Sequence, residues 1–257
     1  AIDRTRNVPH MEVGYSTIIG TRSYQQDALF VKQYDGDVTL AVVCDGMGGL
    51  NGGEIASNTA VKMLVEDFNQ VGDFSNVPQF LESEAVKLDG CVADLEDEQG
   101  NALGGGCTIV CVVTKGNQMY FLSVGDSRIY VVRDSNIQAV NRDHNFRLQL
   151  DTMLREGQIT QDEYRQQEDQ AEALISFLGI GNVSLIDHNT EPLMLCENDL
   201  IILCSDGLYK RLSNEAILDI VDDNQNSMQN IAERLNQVVM QPVSYTHLRA
   251  HETTLHL

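Results

Sequence analysis

Leu40-Ala41-Val42-Val43-Cys44-Asp45-Gly46 is an unbroken apolar run that ends on a carboxylate and a glycine. Two further stretches end the same way: Phe121-Leu122-Ser123-Val124-Gly125-Asp126 and Leu200-Ile201-Ile202-Leu203-Cys204-Ser205-Asp206-Gly207. A run of Val, Ile, Leu and Cys is the signature of a strand buried on both faces, and a carboxylate cannot follow it into the core without a partner or a metal. The adjacent glycine lets the backbone turn sharply and lets a ligand come close. One Asp-Gly is an ordinary turn. Three at strand ends in one acidic chain point to a site for hard metal ions.

Outward from these runs, strand-like segments fall at Val13 to Ile19, Ala28 to Gln33, Val38 to Cys44, Cys107 to Thr114, Gln118 to Val124, Arg128 to Arg133 and Leu200 to Cys204. Their close spacing, with turns such as Lys115-Gly116-Asn117, predicts antiparallel sheets. Two long helical patterns lie between them. Glu54 to Asn69 carries Ala56, Ala60, Met63, Leu64 and Phe68 on one side, and Pro78 to Glu98 carries Leu81, Ala85, Leu88, Val92 and Leu95. Shorter helices are expected at Asn214 to Val221 and Ser227 to Met240. The order of strands, helix pair, strands and helices, with no βαβ alternation, predicts an α+β layered fold. Phe146 to Phe177, rich in Gln, Glu and Asp around Gly157, reads as a surface insertion.

The 257 residues can form one two-layer domain with a substantial core, and 42% hydrophobic with 21% charged residues is ordinary for a globular chain. With 38 acidic against 17 basic residues, the net charge of −21 repels nucleic-acid backbones and disfavours acidic substrates at long range. A phosphorylated substrate therefore needs local cations, either metals or a placed arginine. No apolar stretch reaches the roughly 18 residues that span a membrane, and Ala1 to His10 lack the apolar core of a signal segment, so the reading is cytoplasmic. Cys44, Cys107, Cys111, Cys196 and Cys204 lie in apolar runs and Cys91 on the apolar side of a helix, which predicts core thiols rather than disulfides. Cys204 is no phosphatase nucleophile on this pattern, because Lys210 stands where such a site needs an arginine.

Residues 244–257 differ from the rest: His247, His251 and His256 lie there and acidic residues nearly vanish. This stretch is expected to be a non-native tail behind a domain of residues 11–243.

Gly20-Thr21-Arg22-Ser23-Tyr24-Gln25-Gln26-Asp27-Ala28, Asp45-Gly46-Met47-Gly48-Gly49, Gly53-Glu54-Ile55-Ala56-Ser57, Gly106-Cys107-Thr108, Val124-Gly125-Asp126-Ser127-Arg128, Arg142-Asp143-His144 and Ser205-Asp206-Gly207-Leu208 occur in that order. Together they resemble the metal-dependent protein phosphatases of type 2C. The resemblance implies a four-layer α-β-β-α sandwich with two central antiparallel sheets and a dinuclear Mn²⁺ or Mg²⁺ centre at one end. It implies that Asp45 bridges the two ions, that the Gly46 carbonyl binds the first, and that Asp206 binds the second. Asp27 would hold metal-bound water, Asp126 would join Asp206 at a third, weaker ion, and Arg22 would grip the phosphate as a bidentate fork. Met47 matches the bacterial members, which lack a histidine general acid there. His144, tied to the sheet through Asp143, is expected to be structural. The insertion at 146–177 takes the place of the family's flap.

The implied function is hydrolysis of phosphomonoesters on serine and threonine of phosphorylated proteins by a metal-bridged water, with a protein kinase among the candidate partners; oligomeric state stays open. Two departures stand out. Gln25 is unusual for its motif, and the family's C-terminal Asp-Asn, whose aspartate ligates the second metal ahead of a last strand, is absent. These predict a sheet that has lost a strand. They also leave an alternative: a catalytically impaired phosphatase-fold module that binds a phosphoprotein partner.

Overall fold

A computed structural model describes residues 11–18, 26–49, 51–71, 75–223, 227–240 and 250–256. The strands are β1 Glu12–Ile18, β2 Asp27–Tyr34, β3 Val38–Met47, β4 Gly106–Cys107, β5 Ile109–Lys115, β6 Gln118–Val124, β7 Arg128–Arg133, β8 Asn136–Ala139, β9 Asp187–His188, β10 Leu193–Met194, β11 Leu200–Cys204 and β12 Ala250–His256. The helices are α1 Gly52–Val71, α2 Val77–Ala93, α3 Phe146–Arg155, α4 Gln161–Gln166, α5 Asp206–Tyr209, α6 Asn214–Asp223 and α7 Met228–Met240.

The strands form two antiparallel sheets, one in the order β1-β12-β11-β7-β8 and the other in the order β10-β6-β5-β3-β2. The strand period of two explains the layering. On β3, Leu40, Val42 and Cys44 face α1 and α2, whereas Ala41 and Val43 face the other sheet. On β11, Ile202 and Cys204 face α5, α6 and α7, whereas Ile201 and Leu203 join the layer between the sheets. Both faces of these strands are therefore covered, which is why their sequences read as continuous apolar runs. The result is the expected α-β-β-α sandwich, α+β in class.

The helix over 78–98 is shorter than its periodicity predicts and stops at Ala93. Beyond it, the Asp97 carboxylate accepts from the backbone N–H of Gln99 and Asn101, a local turn that competes with helix continuation. Leu95 keeps the helical spacing and still packs on the core, but from that turn. Phe68 anchors the helix pair, with ring centroids 5.4 Å from Tyr34 and 5.8 Å from Phe80; each such pair is worth about 0.5–1.5 kcal/mol beyond its buried area.

The expected loss of a strand is corrected. Ala250–His256 lies between β1 and β11, paired antiparallel with both. Cys196 is a second correction: it is exposed, because Cys196 begins the turn in which Asp199 accepts from its backbone N–H. All six cysteines are free. Among the described residues no helix is long and apolar enough to cross a membrane.

Candidate metal and phosphate site

The Asp-Gly ends converge because β3 and β6 lie in one sheet, with β5 between them, and β11 lies in the sheet packed against it. In the β2–β3 ladder Asp27 lies directly opposite Asp45. The helix α1 then packs backbone against backbone on the next residues. A Cβ on Gly46 would sit 2.2 Å from the carbonyl oxygens of both Gln26 and Gly53, and one on Gly53 would sit 2.7 Å from the Met47 nitrogen. Only glycines allow that approach, which brings the first turn of α1 onto the end of β3. Ser57 from α1 closes the joint, its hydroxyl donating to Gln26 O at 2.6 Å, while Gly46 N donates to the same oxygen at 2.9 Å.

Thr108 sits behind Asp45. Its N–H donates to Asp45 O at 2.9 Å, its Oγ1 accepts from Asp45 N at 3.1 Å, and the same Oγ1 lies 2.6 Å from Ser127 Oγ. The motif Gly106-Cys107-Thr108 was legible in the sequence, but this clamp between Asp45 and the Asp126 loop was not.

Asp126 is set by a second frame. Gly125 adopts φ +108°, a conformation that excludes most side chains, and its N–H donates to Nδ1 of the fully buried His144 at 3.1 Å. Nδ1 thus accepts, and Nε2 faces Asp187 Oδ1 at 3.1 Å. Asp187 also takes a fork from Arg142. Burial opposes the Asp187 charge, but these donors outweigh it and hold the carboxyl well below the usual range. The expected tie through Asp143 is corrected: Asp143 instead accepts both arms of Arg128, at 2.9 and 2.7 Å. The Arg128 guanidinium stacks 3.5 Å from the centroid of Tyr209, whose hydroxyl donates to Asp126 O at 2.6 Å. Nothing local in the sequence marks Asp187 or Tyr209, since their partners are distant along the chain.

Asp206 opens α5, directly after β11. Asp27, Asp45 and Asp126 are buried, and with the half-buried Asp206 they form one mutually repelling group. Burial raises the Asp45 carboxyl well above its ordinary value, and the charges of Asp27, Asp206 and Asp126 push it further. Asp126 rises to about 6, through burial and the Asp206 charge, with Lys210 pulling the other way. Crowded carboxylates of this kind are stabilised by cations, and an all-oxygen donor set suits Mg²⁺ or Mn²⁺. Among the described residues no three His, Cys, Asp or Glu side chains form a ready-made cage. Ions held here would complete their shells with backbone oxygen and water, as these two ions commonly do. Arg22 lies outside the described residues.

Residues 146–177 leave the sheets from paired stems. Ile175 N donates to His144 O, Phe146 N to Ala173 O and Arg147 N to Ala171 O. Past this segment, the buried Asp89 of α2 accepts from the N–H groups of Gly179, Gly181 and Val183 at 2.8, 3.1 and 2.8 Å.

A sequence profile described as protein phosphatase 2C matches residues 14–243. The chain belongs to the protein phosphatase 2C family. A putative protein phosphatase of Mycoplasma genitalium is 26% identical over 229 residues, covering 86% of each chain. The serine/threonine phosphatase of S. agalactiae superposes at a TM-score of 0.80 and 26% identity, over 96% of this chain and 98% of that one. The catalytic domain of the phosphatase PstP, solved in complex with 2 manganese ions, shares the type 2C fold at a TM-score of 0.69 and 22% identity, over 96% of each chain. As a type 2C family member the chain is a metal-dependent protein serine/threonine phosphatase, and an impaired binding module is not the reading its relatives favour.

Proposed function

We propose that this chain removes phosphate from phosphoserine and phosphothreonine side chains of proteins at the cluster of Asp27, Asp45, Asp126 and Asp206, using two Mn²⁺ or Mg²⁺ ions. The observation that carries this reading is the crowding of those carboxylates, three of them buried, with Asp45 held by Thr108 and flanked by the tightly packed Gly46. The manganese-bound PstP structure, a fold relative, supports the count and the ion class. Asp45 and Asp206 would hold the ions with the Gly46 carbonyl, and Asp27 would orient water beside them. Divalent ions in such a site neutralise phosphoryl oxygens and acidify water into a nucleophile. Arg22 would supply the bidentate phosphate contact that the acidic surface cannot. A domain of residues 11–243, a cytoplasmic setting and a kinase that phosphorylates the same substrates belong to the same proposal.

The test is Mn²⁺-dependent hydrolysis of a phosphothreonine peptide, with Asp45→Ala alongside. Turnover that requires Mn²⁺ and is abolished in the variant supports the reading. Mn²⁺ binding without turnover in the unaltered chain overturns it, and so does turnover that survives in Asp45→Ala.

A further inference from the structure

Lys210 is the residue of the site that neither the motif pattern nor the family reading assigns. It lies four residues after Asp206, at the end of the single turn of α5, where its N–H donates to Asp206 O at 3.1 Å. That short helix aims the side chain back over its own first residue. The ammonium Nζ donates to Asp206 Oδ2 at 2.7 Å and lies 3.8 Å from Asp126 Oδ2. Those two carboxylates are the pair that the type 2C resemblance assigns to a third, weaker metal ion.

The Asp126 turn is fixed from behind. Tyr209, the residue before Lys210, holds the Asp126 backbone, and Arg128 stacks on Tyr209 while pairing with Asp143. The Asp126 backbone therefore cannot move away from the ammonium without breaking this frame. The lysine is also watched from the flap side: Glu172, which pairs with Arg147, adds an attractive charge to it. Acids face Lys210 from β11–α5, from the β6–β7 turn and from the flap stem. A divalent ion entering between Asp126 and Asp206 would meet a positive charge already seated against both, and like charges at such range repel strongly.

We infer that Lys210 is a built-in cation that takes the place of the third metal ion, so that the Asp126–Asp206 pair is neutralised by the chain itself. This rests on the proposed reading of the carboxylate cluster as the metal centre. The consequence is a site that takes two ions, held by Asp45 and Asp206, and no third, with Asp126 serving to hold the lysine.

The experiment counts Mn²⁺ bound per chain by equilibrium dialysis, using free-Mn²⁺ electron paramagnetic resonance as the readout. The unaltered chain, Lys210→Gln, Lys210→Arg, Asp126→Asn and Lys210→Gln/Asp126→Asn are compared, with circular dichroism confirming that each is folded. The expected result is one additional Mn²⁺ in Lys210→Gln, lost again in the double variant, and no additional ion in Lys210→Arg, which keeps the charge. A third ion in the unaltered chain that disappears in Asp126→Asn overturns the inference. An unchanged count in Lys210→Gln also overturns it. A chain that binds no Mn²⁺ in any form sinks both the inference and the metal-centre reading, whereas binding of two ions without turnover sinks the proposed function alone.

Discussion

Thr108 shows how much of this site depends on a residue with no charge. Its hydroxyl is fully buried between Asp45 N and Ser127 Oγ, so it fixes the spacing between the strand that carries Asp45 and the turn that carries Asp126. Thr108→Val keeps the shape and removes the hydrogen bonds. Loss of such supporting contacts costs roughly 10- to 100-fold in metal affinity or activity, so Mn²⁺ titration of the variant's turnover is expected to show a raised half-saturating concentration. Loss of the hydrogen bond from Asp45 N–H adds about 1 kcal/mol of destabilisation, visible as a lower melting temperature. At this scale the sequence is partly legible. Asp45, Asp126 and Asp206 announce themselves because a carboxylate after a buried strand needs an explanation. Lys210 does not, because its meaning depends on Asp126, a residue far away along the chain; in sequence it was visible only as a position that is not arginine.

The helix pair α1–α2 carries a carboxyl that titrates far from its usual place. Glu84 of α2 is buried against the β5 side of the core and is pushed up to about 8, first by burial and then by the neighbouring Asp67. Asp67 in turn is lowered, mainly by the Lys87 contact and also by Glu84. Glu84 thus keeps a proton in the folded chain that it loses in the unfolded one. A raised folded pKa gives stability that is full below the unfolded value near 4.5 and fades as pH rises toward 8. Glu84→Gln cannot ionise, so its melting temperature is expected to exceed that of the unaltered chain at pH 8, with the gap closing near pH 5. The effect is on the order of 1–3 kcal/mol, or several degrees for a domain of this size. A larger gap at pH 5 than at pH 8 would refute the assignment. Long elements were readable because α1 and β3 bury enough periodic residues to leave a pattern. The short strands β4, β8, β9 and β10 were missed, since two to four residues hold no period, and α2 was overextended because Leu95 keeps the spacing after the backbone has turned away.

For the molecule as a whole, the net charge of −21 sets the terms on which a phosphorylated substrate arrives. Repulsion between the acidic surface and a phosphopeptide is long-ranged at low salt and screened within about 8–10 Å at physiological ionic strength. The specificity constant kcat/KM for an acidic phosphopeptide is therefore expected to rise by a factor of roughly 2–10 between about 10 and 150 mM salt, and for a basic phosphopeptide to fall. Stopped or steady-state assays over that range, at fixed Mn²⁺, decide it; identical salt slopes for the two peptides would show that the surface field plays no part. The layered architecture was legible from order alone, whereas the seat of Ala250–His256 in the sheet was not, because that stretch lacks the apolar alternation of the other strands.

The free thiols are distributed across this architecture in a way that makes them timers. Cys44, Cys107 and Cys111 are sealed beneath α1 and α2, Cys204 is sealed beneath the opposite helices, Cys91 on α2 is half-buried, and Cys196 is open to solvent. A thiol reagent added to the folded chain meets Cys196 at once, Cys91 next, and the four sealed thiols only when a layer lifts. The moment at which each remaining cysteine reacts therefore records which half of the sandwich breathes first, without any reporter group having to be introduced.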